Sequence, residues 1–337
     1  MITKKLFDKY DGKDVYAYTL SDNVQVTIAT LGATVLSLRV QDKNGEFVDV
    51  VLGKTDAHSL LRTGSYMGAI VGRCANRIEK GAFTLNGKSY HVTQNNGVNS
   101  LHGGERGFNT KVFDVIVDER ANSVTFSAQL RDGEDGYPAN FNLSVKYTVK
   151  ASALTIDYCA ESDGDTLCNP TSHMYFNLNG ESDGNALDNN LRINADSYLQ
   201  VNDTLIPTVR ASVTGTPFDF REFKPIGRDI DANDAQLRIA NGYDHSFCLD
   251  GNHAATAFSP KTGVQMDVYT DMDGMQLYTG NFLSNEVGKS VYGKHSGFCL
   301  ETQFYPNAIN RSDCAKPILK QGEQFHSQTT FIFSVRR

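Results

Sequence analysis

Leu143-Ser144-Val145-Lys146-Tyr147-Thr148-Val149 and Leu154-Thr155-Ile156-Asp157-Tyr158 alternate apolar and polar residues with a period of two. A strand points successive side chains to opposite faces, so this pattern buries one face and wets the other. The same alternation recurs at Val24, Val26 and Ile28, at Leu36, Leu38 and Val40, and at Val264-Gln265-Met266-Asp267-Val268. Asn44-Gly45 and Asn86-Gly87 lie between apolar runs and read as hairpin turns, because both residue types tolerate positive φ. Helical periodicity is scarce. The stretch from Asn233 to Ile239 is expected to form a short helix with Asn233 as its cap.

No Pro-, Ser- or Gly-rich linker, like-charge block or fixed-period repeat divides the chain, so residues 1–337 read as one domain. Many short strands with frequent turns predict an all-β chain, a large antiparallel sandwich or barrel. With 40% hydrophobic and 21% charged residues, the chain can bury a core and is not a disordered polymer. A net charge of −7 argues against a nucleic-acid partner, which needs a basic face for phosphates. No apolar run approaches the roughly 18 residues of a membrane span, and none follows Lys4 and Lys5 as a secretory leader would require. The expected address is cytoplasmic, with no membrane partner. Cys74, Cys159, Cys168, Cys248, Cys299 and Cys314 are sparse and read as free thiols, and the sequons at Asn142, Asn202 and Asn310 as chance.

Several chemistries are missing from the pattern. Neither His-Glu-x-x-His nor Cys-x-x-Cys occurs, so the commonest zinc signatures are absent. Gly87-Lys88-Ser89 and Gly288-Lys289-Ser290 lack the earlier glycine of a phosphate loop, since Ala82 and Leu283 stand there; both read as turns. There is no Gly-x-Ser-x-Gly elbow and no dinucleotide fingerprint. Nothing calls for a metal or an organic cofactor.

Polar residues instead crowd beside aromatic and Gly residues in a few segments. These are Gly72-Arg73-Cys74-Ala75-Asn76-Arg77-Ile78, Asn99-Ser100-Leu101-His102-Gly103-Gly104, Asn169-Pro170-Thr171-Ser172-His173-Met174-Tyr175-Phe176-Asn177-Leu178, Gly242-Tyr243-Asp244-His245 and Cys299-Leu300-Glu301-Thr302-Gln303-Phe304. Taken singly, His173 reads as well as a hydrogen-bonded structural residue, and Arg77 or His102 as loop support. Glu301 is the sharper signal, because a carboxylate in an apolar strand is costly unless paired or functional.

Together, and with Asp132-Gly133-Glu134-Asp135-Gly136-Tyr137-Pro138 and Tyr278-Thr279-Gly280-Asn281-Phe282-Leu283, these segments resemble the aldose 1-epimerase (galactose mutarotase) family nearly end to end and in the family's order. The resemblance implies a single large antiparallel β-sandwich with an open sugar-binding cleft. It implies an isomerase that interconverts the α and β anomers of a free aldose such as galactose or glucose. His173 then looks like the general acid and Glu301 like the general base. Arg77, His102 and Asp244 look like substrate-binding residues, with Asn76 and Gln303 beside them. The partner is a monosaccharide, and the assembly a monomer or homodimer.

Tyr175, Phe176, Tyr278 and Phe282 are candidate faces for the sugar's C–H surfaces. Ser172, Phe304 and Phe113 stand where the family more often has Asn, His and Trp; these departures bear on substrate preference. Three other readings stay open. One is a sugar-binding module or sensor. Another is a glycoside hydrolase or lyase, although a glycosidase usually needs two carboxylates. The last is an enzyme for phosphorylated sugars, which needs a more cationic pocket than Arg77 supplies.

Overall fold

The computed structural model describes residues 1–62 and 64–336. Strands dominate, in one nine-stranded and two five-stranded sheets with several two-stranded ribbons. The two quoted segments lie in neighbouring antiparallel strands, Phe141–Lys150 and Ala153–Ser162, the third and fourth of the nine-stranded sheet. Their apolar residues are buried throughout, while Lys146 and Asp157 sit on the outer face and pair at 3.5 Å.

The buried face packs on both five-stranded sheets. One is the N-terminal meander from Ile2–Tyr10 to Phe47–Asp49. The other runs in the order Pro207–Ser212, Ser197–Val201, Asp244–Cys248, Gly274–Tyr278, Cys299–Gln303. One apolar cluster joins all three, from Val35 and Leu38 through Val145 and Tyr147 to Leu277 and Leu300. This is the sandwich arrangement, two layers sealed by interdigitating inner faces. Tyr147 adds a polar stitch: its hydroxyl donates to the Ala33 carbonyl at 2.8 Å.

The turns follow their chemistry with one difference. Asn86 and Gly87 both take positive φ, 51° and 77°, and join Ala82–Leu85 to Lys88–His91 as a two-residue hairpin. At Asn44-Gly45 only Gly45 is left-handed, and the loop is longer, because the Asp42 carboxylate accepts the N–H groups of Asn44 and Glu46. The expected helix forms at Ala235–Ala240, but its cap is Asp234, not Asn233. Asp234 Oδ1 accepts from the N–H groups of Gln236 and Leu237, while Asn233 is engaged by Arg238. All six cysteines are free thiols. No helix among the described residues is long and apolar enough to cross a membrane.

Truncation of the inner face should be costly and truncation of the outer face should not. Leu143→Ala is expected to destabilise the protein by about 2–5 kcal/mol, and Tyr147→Phe by about 1–3 kcal/mol because it strands the buried Ala33 carbonyl. Lys146→Ala should stay within about 0.5 kcal/mol. Urea unfolding of the three variants measures all of this, and equal effects on the two faces would contradict the assigned packing.

Candidate active site

The polar segments meet because the Asn169–Leu178 stretch is stitched to two others. Asn169 donates its N–H to the Arg73 carbonyl at 2.8 Å and accepts from Ala75 N–H at 2.7 Å. Its side-chain oxygen takes the N–H of Phe304 at 2.9 Å, and Thr171 Oγ1 donates to the Thr302 carbonyl at 2.9 Å. The first pair of bonds holds the Arg77 segment beside His173, and the second holds the Glu301 strand there. The backbone of His173 is itself fixed on both sides, by Ala69 and Gly68 at 2.9 Å each.

A reciprocal lock positions the remaining histidine. Asn76, left-handed at φ 58°, accepts the His102 N–H on its carbonyl at 3.1 Å and donates its own N–H to His102 Nδ1 at 3.2 Å. Leu101 and Arg77 are cross-strand partners on either side of the lock. Gly103 must follow: at φ +91° a Cβ would stand 2.2 Å from the Gly72 carbonyl oxygen. The Asp132–Pro138 segment supports the same loop, with the Asp135 carboxylate accepting the N–H groups of Glu105 at 3.1 Å and Arg106 at 2.9 Å.

The result is a cavity of about 500 Å³ lined by Asn76, Arg77, His102, His173, Asp244 and Glu301. Gln303, the seventh expected residue, does not line it. It sits two residues beyond Glu301 on the same strand, fully buried, with neither amide atom partnered among the described residues. Tyr175, Tyr278 and Phe282 line the cavity, whereas Phe176 is in the core against Phe298 and Phe331. Four further lining or supporting residues were not legible as such in the sequence. Tyr66 packs its ring on His102, with centroids 4.7 Å apart. Asn96 accepts from Arg77 Nε at 3.0 Å. Gln276 donates to Asp244 Oδ1 at 2.6 Å. Glu286 lies in the wall. Only Gln276 carried a signal, as a polar residue inside the buried run Gly274-Met275-Gln276-Leu277-Tyr278.

At the centre, His173 Nε2 and Glu301 Oε1 face each other at 3.8 Å. Tyr175 stacks on the imidazole at 5.0 Å and Cys299 Sγ lies 3.6 Å from Nδ1. Arg77 Nη1 stands 3.7 Å from Asp244 Oδ2, with both side chains nearly buried. Glu301 Oε2 and Gln276 Oε1 are buried with no hydrogen-bond partner among the described residues. Unsatisfied buried acceptors are costly, and a hydroxylated ligand would satisfy them.

Burial lowers the His173 pKa to about 4, opposed by a hydrogen bond to its own backbone. Burial, then the charge of Asp244, raises Glu301 to about 8, with Arg77 pulling the other way. His102 is held well below its ordinary value by burial, then by His173 and Arg77, so it stays neutral. Its Nδ1 accepts the Asn76 N–H, which places its one ring hydrogen on Nε2, facing the cavity as a donor. Donor atoms of His102, His173 and Glu301 lie within 4.8 Å of one another, a metal-like spacing. A ligating nitrogen needs a free lone pair, and His102 has none to offer in this tautomer. The set fits a hydrogen-bonded ligand better than an ion.

Fold and site together define a β-sandwich protein with a buried His–Glu pair at the wall of a polar cavity. The aldose 1-epimerase family model matches residues 16–331. The chain is 43% identical over 323 residues to the galactose mutarotase of Sus scrofa, covering 94% of this chain and 92% of that protein. It is 35% identical over 336 residues to the aldose 1-epimerase of Escherichia coli (strain K12), covering 96% of each. The solved galactose 1-epimerase from Lactobacillus acidophilus NCFM superposes with a TM-score of 0.89 at 28% identity, covering 100% of this chain and 99% of that one. The chain belongs to the aldose 1-epimerase family and is an isomerase of the epimerase class.

The buried carboxyl makes a stability prediction. Its folded pKa, about 8, lies above the ordinary 4.5. The folded state therefore holds a proton that the unfolded state releases, and this contribution, complete below pH 4.5, is lost as pH rises through 8. Glu301→Gln has no such loss, so its melting temperature should rise relative to wild type between pH 5 and pH 8, when both are followed by calorimetry. A constant difference across that window would show that Glu301 is not buried as described.

Proposed function

We propose that the chain interconverts the α and β anomers of free aldohexoses such as galactose and glucose, with His173 as general acid and Glu301 as general base. The observation that carries this reading is the His173–Glu301 pair, 3.8 Å apart on the wall of the cavity that Arg77, His102 and Asp244 also line. Mutarotation needs a base to take the C1 hydroxyl proton and an acid to protonate the ring oxygen. The C1–C2 bond of the open aldehyde then rotates, and the two groups return their protons as the ring closes. No covalent nucleophile is required.

The proton inventory is suited to this. In the empty cavity, burial favours the uncharged pair, imidazole and carboxylic acid. Imidazolium and carboxylate hold the same number of protons and differ only in where one of them sits. A sugar whose hydroxyls replace lost water stabilises the charged arrangement, and the pair then acts in the assigned roles. The Nε2–H of His102 would donate to the oxygen on which charge develops, and Arg77 and Asp244 would fix the hydroxyls. Glu301, Asp244, Glu286 and Asp203 all line the cavity, with Arg77 as its one lining cation among the described residues, which disfavours phosphorylated sugars. The six free cysteines suit a reducing compartment such as the cytoplasm.

Polarimetry of freshly dissolved α-D-galactose and α-D-glucose tests the proposal. Wild type should accelerate equilibration over the spontaneous rate, and Glu301→Gln and His173→Ala should each lose about 10²–10⁴-fold in kcat. A folded wild type that accelerates no common aldose would overturn the enzyme reading in favour of sugar binding or sensing.

The pH profile should be bell-shaped, because the pair works only while it holds one exchangeable proton. Activity should fall below about pH 4, where His173 gains a second proton for the pair, and above about pH 8, where Glu301 gives up the only one. A single-limbed profile would point to one titrating group instead of two.

A further inference from the structure

The acid–base pair and its binding residues leave two charged groups of the cavity unused, Asp203 and Glu286, and of these Glu286 is held by a buried lysine. Glu286 lines the wall, and Lys54 stands behind it with its side chain 0% exposed, against 10% for Glu286. Lys54 Nζ donates to Glu286 Oε2 at 2.8 Å and to the Val287 carbonyl at 3.2 Å, and Ser65 Oγ donates to the same Oε2 at 3.0 Å. Burying a lysine to hold a carboxylate is a weak way to gain stability, since apolar residues of similar size usually do as well. What it achieves is a carboxylate fixed in place at the cavity surface by a lysine. Glu286 Oε1 accepts no hydrogen bond among the described residues, so an acceptor remains open.

Its position relative to the reacting pair follows from Tyr175. The Tyr175 ring stacks on His173, and its hydroxyl donates at 2.9 Å to the carbonyl of Ser65, the residue that also holds Glu286. Glu286 thus lies beyond the hydroxyl end of Tyr175, away from the end of the ring that meets His173. A pyranose with its C1 and ring oxygen at His173 and Glu301 would reach Glu286 only with groups remote from C1.

Taking the proposed sugar substrate as given, we infer that Glu286 is a further substrate-binding residue. It accepts a hydroxyl remote from C1 and turns away sugars with an anionic group at that end, while Lys54 and Ser65 act as positioning residues. Charge-assisted acceptors give the stronger hydrogen bonds, and they repel carboxylate or phosphate substituents.

The test compares wild type, Glu286→Gln, and the double variant Lys54→Met with Glu286→Met, which leaves no buried charge unpaired and so keeps the fold. Calorimetric binding is read for galactose, 2-deoxygalactose, 6-deoxygalactose, arabinose and galacturonate, beside polarimetry. The double variant should bind galactose about 10- to 100-fold more weakly, with the loss in KM and not kcat. The analogue lacking the contacted hydroxyl should bind wild type and double variant alike, and galacturonate should bind the variants better relative to galactose than it binds wild type. Equal galactose affinity in wild type and double variant, or an equal loss for every sugar, would overturn the role of Glu286. Binding without turnover by wild type would instead overturn the proposed reaction while the affinity series still decides Glu286. Absence of binding of any sugar by wild type would overturn both.

Discussion

The placement of His173 and Glu301 out of water, 3.8 Å apart, constrains everything around them. Desolvation penalises whichever of the two is charged, so it drives their pKa values toward and past each other. The preference for the shared proton is thereby reversed: in water the imidazole holds it, and in the empty cavity the carboxylate does. Returning the proton to His173, as the proposed roles require, takes the polar groups of a bound ligand in place of the lost water. Glu301 Oε2 has no hydrogen-bond partner among the described residues, so a ligand that meets it acts directly on that balance.

Holding such a pair requires a rigid frame, and the frame is backbone hydrogen bonding more than side-chain packing. His173 and Glu301 come from segments far apart in sequence, and neither could be placed by its own element alone. Asn169 ties both the Arg77 segment and the Glu301 strand to the histidine's own stretch. The Asn76–His102 lock fixes a tautomer as well as a position. The glycine at 103 is there because the chain passes too close to the Gly72 carbonyl for any side chain.

The fold was more legible than the site. Alternation at Leu143–Val149 and Leu154–Tyr158 is a local property, and it located two inner strands of the largest sheet directly. A burial argument singled out Glu301, and the resemblance to the family gathered the other residues. What stayed hidden depended on long-range contacts. Nothing local distinguishes Gln276, which meets Asp244 only through strand pairing, from Gln303, which is fully buried and does not line the cavity. Tyr175 and Phe176 look alike in sequence, yet the backbone turns one toward the cavity and the other into the core. Lys54 and Glu286 could not be recognised as partners, because nothing in either segment marks the other. The cap of the short helix shifted by one residue for a similar reason: Asp234 and Asn233 are both good caps, and geometry chose between them.

The proposed binding residues and the proposed acid–base pair are electrostatically one system. Asp244 raises the Glu301 pKa and Arg77 lowers it, and these two sit 3.7 Å apart, with Asn96 and Gln276 bonded to their outer sides. A sugar hydroxyl that donates to Asp244 weakens its push on Glu301, and one that accepts from Arg77 weakens the opposing pull. The protonation of the pair therefore responds to which hydroxyls are present and how they are oriented. On this view, a substrate whose hydroxyls meet Arg77 and Asp244 correctly is bound and also sets the proton where the proposed ring opening needs it. A poorly matched sugar would occupy the same cavity with the pair left in its uncharged arrangement, so discrimination would appear in the rate of the chemical step as well as in affinity.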